Sequence, residues 1–527
     1  MLREEEYDVV VVGSGAAGMT AALTAAHRGL SAVVIDSAEV YGGSTARSGG
    51  GLWLPGPEAA TYLKHVAGDE VSPARRDALL EHGPAVLAFV REHTPLEFAR
   101  VPGYPDYHPE APGGLAEGRT VEPRPLAARL VADDLEALAP PYRAAPNGIA
   151  VTAVDYRWLS LGLRHPRSAL TAVKLAAGRF RGKRLTMGQA LAAGLRAGLR
   201  AAGVPVRLGT PMTALHTEDG RVTGADSAGT RFRARRGVIL ASGGFDHNEP
   251  MRRQHHGLGA GWTVGAAGNT GAGIEAGQRL GAALDLMDEA WWGPTLPLTG
   301  GPYFCLAERN LPGSLIVDGT GHRFVNEAAP YVDVVHAMLG RAGSGPHLPC
   351  WLVTDRSYRD RYLFAGRAPR APLPRRWFDA GIAHRAGTLE ELAGRIGVPA
   401  EALRATVERF NGFAGRGHDD DFRRGESAYD RYYGDPRQRP NPCLGPLLRP
   451  PFLAFSLVPG DLGTKGGLRT DERARVLRPG GTPIPGLYAA GNVSASVMGR
   501  GYAGAGATLG PAMTFGYLAA LDIAGRT

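Results

Sequence analysis

The chain has 527 residues, enough for two or three domains of roughly 150 residues each. Its hydrophobic content of 44% is that of an ordinary globular protein, and no apolar run reaches the ~18 uncharged residues of a membrane span. The net charge is +8, but the basic residues are scattered along the chain without a polybasic tail, so a nucleic-acid role is unsupported.

The N-terminus (Arg3, Glu4, Glu5, Glu6) lacks the basic region and cleavage site of a signal peptide. Cys305, Cys350 and Cys443 lie far apart, with no CxxC or metal-ligand spacing, so neither a disulfide framework nor a metal site is expected. The expected location is cytoplasmic. Peripheral contact with a membrane stays compatible with the sequence.

Tyr7–Val12 is a β-branched, apolar run that reads as a parallel strand buried on both faces. Gly13-Ser14-Gly15-Ala16-Ala17-Gly18 follows at once, then small residues at helical spacing (Ala22, Ala25, Ala26). A second strand, Ala32–Ile35, ends at Asp36 and Ser37. Strand, GxGxxG, helix, strand and acid, with the acid 23 positions after Gly13, is the dinucleotide fingerprint. Gly13 permits the tight turn, Gly15 lets the backbone approach a pyrophosphate, and Gly18 lets the helix pack close. The helix N-terminus offers free N–H groups, and Asp36 can accept from ribose hydroxyls.

The next segment, Tyr41-Gly42-Gly43-Ser44-Thr45-Ala46-Arg47-Ser48-Gly49-Gly50-Gly51, offers many backbone donors and few obstructing side chains. It resembles the loop under the flavin in the fumarate reductase/succinate dehydrogenase flavoprotein superfamily. The resemblance implies FAD rather than NAD. Covalent members carry a His at the start of this loop, which is absent here, so non-covalent FAD is expected.

Further landmarks of the superfamily recur downstream. They are Gly237–Gly244 with Ser242 and Gly243, the helix-opening Gly268–Ile274, Gly466–Asp471, Ile484–Asn492 with Gly491 and Asn492, and a last helix near Gly506-Ala507-Thr508-Leu509-Gly510. The expected fold is α/β: a Rossmann-like FAD-binding domain of the GR2 type with an inserted α+β catalytic domain. The FAD-binding domain spans 1–292, with a helical insertion at about 55–200, and returns at 461–527. The catalytic domain spans 293–460.

Short strands are expected at Val204–Leu208 and Arg221–Ala225, and proline-rich loops at 101–125 and 138–147. In the second domain the pattern predicts strands at Ser314–Asp318 and Pro349–Thr354, one helical run over Leu389–Phe413, and a solvated charged loop over Asp419–Arg424.

Fumarate reductases hold a dicarboxylate with arginines and a histidine. In the matching segment here, Val497–Thr508, Arg500 is present but Tyr502 is nearer the active-site end, which favours a neutral, apolar substrate with one polar handle. With Gly103–Pro109 and Phe324–Tyr331, this segment resembles the 3-ketosteroid Δ1-dehydrogenases across nearly the whole chain. Leu306–Gly313 and Gly510–Tyr517 look similar too.

The resemblance implies catalytic roles for Tyr107, Tyr331, Tyr502 and Gly506. Tyr502 and the Gly506 N–H would bind the C3 ketone as an oxyanion hole does. Tyr331, helped by a bond from Tyr107, would remove the C2 proton. A hydride would leave C1 for the flavin, and an external acceptor such as a quinone would reoxidise it. Many members read Thr-Tyr-Pro/Ala-Gly-Pro-Gly where this chain has Gly501–Gly506, so Gly501 and Ala505 are expected to loosen the loop.

Taken singly, tyrosines are more often half-buried aromatics than catalysts, and it is the three matching positions together that point to function. Tyr104 and Tyr303 read as pocket walls. Trp291, Trp292 and Phe304 could line a steroid pocket or simply pack. Arg309, His108 and Glu327 read as structural, Glu327 anchoring the loop that presents Tyr331. Two alternatives stand beside this reading: a related Δ4-dehydrogenase or enone/fumarate-type reductase, and a non-catalytic electron-transfer flavoprotein subunit.

Overall fold

A computed structural model describes residues 3–143, 150–162, 165–178, 182–341, 343 and 346–525. Part of the proline-rich stretch expected at 138–147 lies outside these residues.

The apolar start folds as expected. Arg3–Val12 is a strand whose last four residues are fully buried. It sits in an eight-stranded sheet with parallel neighbours Thr230–Leu240 and Ala32–Ile35. Pro483–Ala489 pairs in parallel with Thr230–Leu240, and Val206–Arg207 with Ala32–Ile35. Met212–Glu218 and Arg221–Ser227 form an antiparallel flap on this sheet. The C-terminal helix, Leu509–Ile523, packs on the first helix, Ala16–His27. Chain start, middle and end therefore share one core.

The parallel strands end on a common edge. Gly13, Asp36, Ala241–Gly243 and Ala490–Asn492 follow four neighbouring strands there, the position where open α/β sheets bind nucleotides.

The 55–200 region is mostly helical, with Ala60–Ala67, Pro73–His93, Ala153–Leu159, Pro166–Gly178 and Met187–Ala201. Its strands Thr120–Pro123 and Phe98–Arg100 form a small sheet with Leu52–Trp53, just before it. A second, six-stranded sheet centres on the long Phe452–Thr464 strand, flanked by Ala290–Leu296 and Cys350–Thr354.

Two expectations need correction. The run Leu389–Phe413 is two helices, Leu389–Ile396 and Ala400–Arg416, because Gly397 takes a left-handed conformation (φ 70°) and Pro399 cannot continue the first helix.

The charged Asp419–Arg424 stretch is not a solvated loop at both its ends: Asp419 and Arg424 are fully buried. Asp419 accepts from Arg323, and Arg424 donates to Glu327 and to the carbonyls of Ser314, Arg309 and Leu311. Burial favours a neutral Glu327, but Arg323 and Arg424 more than offset it and hold the carboxyl below the usual range. Charge runs in sequence do not reveal partners a hundred residues away.

Removing one member of a buried ion pair strands the other. Arg424→Met is expected to cost about 3–5 kcal/mol, read as a lowered Tm in thermal unfolding. An unchanged Tm would show that Arg323 alone satisfies Glu327.

Among the described residues no helix is long and apolar enough to cross a membrane, and the three cysteines are buried and free.

Candidate active site

The cofactor cleft is built from backbone. Gly13 has φ +114°, and a Cβ there would meet the Ala241 carbonyl at 2.2 Å. A Cβ on Gly18 would meet the Gly13 carbonyl at 2.0 Å. These two glycines let strand, turn and helix close on one another.

Ser14 donates from both N and Oγ to Asp36 Oδ2 (2.7 and 2.5 Å), and the Ala38 N–H donates to Oδ1. The acid is thereby oriented at the strand end, and Ser14 serves it through its own side chain. Thr45 Oγ1 accepts from the Ala16 N–H, tying the glycine loop to the first helix. Ser44 Oγ accepts from Ala266 and Asn269, and Ser48 Oγ accepts from Gly50.

Space for a large group remains between these parts. A Cβ on Gly43 or Gly49 would meet nothing within 4 Å, and on Gly15 or Gly268 only one atom, at 3.5 and 3.8 Å. Open backbone beside a helix N-terminus and a strand-end acid is the donor set that a dinucleotide needs. The residues present therefore fit FAD.

The tyrosines expected from separate segments meet in one buried cluster. Ring centroids of Tyr107 and Tyr331 are 5.4 Å apart, Tyr107 and Tyr502 5.0 Å, and Tyr331 and Tyr502 5.6 Å, all edge-on. Tyr107 Oη donates to Tyr331 Oη at 3.0 Å, and Tyr502 Oη shares a hydrogen with Thr508 Oγ1 at 3.0 Å.

Each ring is held by its own segment. The Tyr107 N–H donates to the Ala503 carbonyl (3.0 Å), and the neighbouring Asp106 takes Trp53, Leu115 and Arg119. Tyr331 opens the Tyr331–Met338 helix after Pro330. Its approach loop is fastened by Arg309 to the Glu327 and Ala329 carbonyls and by Asn310 to Ala328. Arg309 and Glu327 are thus structural, as expected. The His108 backbone N–H donates to Tyr62 Oη, and its ring reaches toward Asp333, at 3.8 Å.

The Gly501–Gly506 loop is not loose, contrary to expectation. A Cβ on Gly501 would meet the Val66 carbonyl at 2.3 Å, and on Gly504 the Trp53 ring at 2.8 Å. Tyr62 and Thr120 hydroxyls donate to the Ala503 and Ala505 carbonyls at 2.6 and 2.8 Å. Small residues let it pack, and hydrogen bonds do the stiffening that proline does elsewhere. Gly506 has φ +92° and lies against Gly51, joining this loop to the cofactor loop. Among the described residues its N–H meets no protein acceptor.

Arg500 points outward, half exposed, to Asp288, Glu289 and Glu70. It is not placed to hold a dicarboxylate with Tyr502. Trp291 and Phe304 face the cluster, 4.7 Å from Tyr502 and 5.0 Å from Tyr331. Trp292, next along the strand, points the other way, to His256 and Glu289. Tyr104 pairs with Tyr433, and Tyr303 donates to Glu308.

Sequence reasoning missed Tyr429, whose ring packs on Tyr107 at 4.9 Å. It also missed the Thr508 bond to Tyr502. Tyr429 carries no motif, and the landmark that contains Thr508 does not reveal that its hydroxyl meets Tyr502. Burial raises the Tyr331 phenol well above its usual value, and the neighbouring phenols Tyr502 and Tyr429 add to this. The bond from Tyr107 opposes it without reversing it.

The FAD binding domain family matches residues 8–509. A 3-oxosteroid 1-dehydrogenase of Mycobacterium tuberculosis (strain ATCC 25618 / H37Rv) is 55% identical over 99% of this chain and 98% of its own length. This chain belongs to the 3-oxosteroid 1-dehydrogenase family of FAD-binding flavoproteins.

Among solved structures of the family, the 3-ketosteroid Δ1-dehydrogenase of Sterolibacterium denitrificans, in complex with 1,4-androstadiene-3,17-dione, superposes with TM-score 0.94 at 40% identity. The match covers 99% of this chain and 100% of that one. The 3-ketosteroid Δ4-(5α)-dehydrogenase of Rhodococcus jostii RHA1 shares the fold at TM-score 0.70, with 23% identity, over 99% of this chain and 97% of that one. The family membership and the α/β fold agree with the reading of the sequence, as does FAD as the cofactor.

Proposed function

We propose that the chain desaturates 3-ketosteroids between C1 and C2, turning a 3-keto-4-ene into a 1,4-dien-3-one. The observation that carries this is the convergence of Tyr107, Tyr331 and Tyr502 in one buried cluster beside Gly506.

In this reading the Tyr502 hydroxyl and the Gly506 N–H donate to the C3 ketone, so negative charge can build on that oxygen. This makes the C2 hydrogens acidic. Tyr331, acting as the tyrosinate, takes one as a proton and becomes neutral, and the hydrogen bond from Tyr107 stabilises the tyrosinate before the transfer. FAD, held without a covalent link, would supply the acceptor for the C1 hydride, and an external oxidant, a quinone or similar, would be needed for turnover. Segments 1–292 and 461–527 hold the cofactor, with Gly13–Gly18, Asp36, Ser37, Gly43–Gly51, Ser242, Gly243, Gly491, Asn492 and Ala507–Leu509 around it. Residues 293–460 supply Tyr331 and the covering sheet. The outward Arg500 speaks against a dicarboxylate substrate.

Anaerobic mixing with androst-4-ene-3,17-dione tests the reading. Flavin bleaching with formation of the 1,4-diene is expected, and no reduction by any 3-ketosteroid would sink it.

The pH dependence follows from burial. A base must be deprotonated to act, and the Tyr331 phenol is held above its usual value of 10.0. Hence kcat/KM should climb across neutral pH and still be rising at pH 10. A plateau near neutrality would identify a different base.

Contact with an anionic membrane surface is part of the same proposal. Residues 156–217 contain eleven Lys/Arg and no Asp or Glu. Within them, the Pro166–Gly178 helix turns Leu170 (70% exposed) and Val173 (66%) to solvent beside Lys174. Basic residues flanking apolar ones suit an anionic bilayer. Cosedimentation with anionic phospholipid vesicles should be lost in a Leu170→Asp/Val173→Asp variant. Equal sedimentation of both proteins would refute the contact.

A further inference from the structure

Lys465 is fully buried, yet the reaction scheme gives it nothing to do. Its Nζ donates to the carbonyls of Arg500 (3.1 Å) and Gly501 (2.7 Å), the two residues that lead into Tyr502. Nζ also lies 4.6 Å from the centroid of the Trp291 ring, which itself packs 4.7 Å from the Tyr502 ring. Trp291 Nε1 donates to Asn492 Oδ1 at 3.1 Å, fixing the indole against the end of a cofactor-side strand.

A carboxylate would be the ordinary partner for such an ammonium. Glu289 is nearby, and its backbone carbonyl accepts the Lys465 N–H at 3.0 Å. Its carboxylate, however, is taken by Arg341, Arg500, His336 and Trp292. Among the described residues the ammonium is left with two carbonyls and an aromatic face. Burial lowers its pKa to about 8, against the pull of Glu289. A buried charge without an ion partner is costly, and a methionine would fill the same space without that cost. Packing alone does not explain a lysine here.

We infer that Lys465 is a positioning residue for Tyr502, setting the phenol toward the steroid ketone through the Arg500–Gly501 backbone and through the Trp291 ring. The inference rests on Tyr502 being the ketone donor. A cation behind the indole also strengthens the pull on the developing oxyanion, because the surroundings exclude water.

A mutant cycle on the holoenzyme tests it, with Lys465→Met and Tyr502→Phe made singly and together and flavin content checked in each. Lys465→Met should lower kcat about 10- to 100-fold, the scale of a misplaced catalytic group, with KM within about 3-fold. On the Tyr502→Phe background the same change should cost under about 3-fold, because there is no hydroxyl left to position. The absorption of bound androsta-1,4-diene-3,17-dione, red-shifted by donors to its ketone, should move back toward its value in water in Lys465→Met.

A slow Tyr502→Phe enzyme with Lys465→Met at full rate overturns the role of Lys465 alone. So does an equal loss on both backgrounds. A Tyr502→Phe enzyme at full rate overturns the assignment beneath it. If Lys465→Met does not retain flavin, Trp291→Leu enters the same cycle, removing the aromatic link and keeping the ammonium.

Discussion

Tyr331→Phe is expected to lower kcat by about 10²–10⁴-fold, the usual contribution of a positioned general base, while FAD stays bound. The ring keeps its edge contacts with Tyr107, Tyr502 and Phe304, so only the hydroxyl is lost. Tyr107 would lose its 3.0 Å acceptor but stay anchored through its N–H to Ala503. The cofactor glycines belong to other segments and would not be disturbed. Exchange of the steroid C2 hydrogen with D2O should vanish along with turnover, since both need the same proton transfer. Persistent exchange in Tyr331→Phe would place the base elsewhere.

The second large effect is expected from Tyr502→Phe, about 10²–10³-fold in kcat, the scale of one deleted oxyanion donor. The Gly506 N–H would remain and sustain a residual rate. Because the bond strengthens only as charge builds on the ketone, kcat and kcat/KM should fall together and KM change little. Thr508, which shares a hydrogen with Tyr502 at 3.0 Å, could not replace it without moving its own backbone at the start of the last helix. Near-wild-type turnover would refute the assignment. A rise in KM at constant kcat would make Tyr502 a binding residue only.

The cofactor half was legible because its chemistry is local. Gly13, Gly15, Gly18 and Asp36 fall within one strand-helix-strand unit, and the steric reasons for each glycine act over a few residues. Strand periodicity likewise located Ala32–Ile35 and Cys350–Thr354, since alternation and apolar runs are properties of contiguous chain. The tyrosines were legible only through family resemblance. Nothing in the residues around positions 107, 331 and 502 says that three phenols will meet.

The sequence by itself determined the nucleotide-binding start, the class of fold and the identity of the groups available for catalysis. The tertiary structure alone decided which of them share a site, because contact between segments hundreds of residues apart leaves no periodic mark. It turned Arg500 outward and buried Asp419 and Arg424 in one ion network. It packed Gly501–Gly506 tight where composition pointed to a loose loop. It also set Lys465 and Trp291 behind Tyr502. For the loop the deciding quantity is close packing, and for the charged and phenolic groups it is desolvation: each acts according to what replaces the water around it, and only the folded chain sets that.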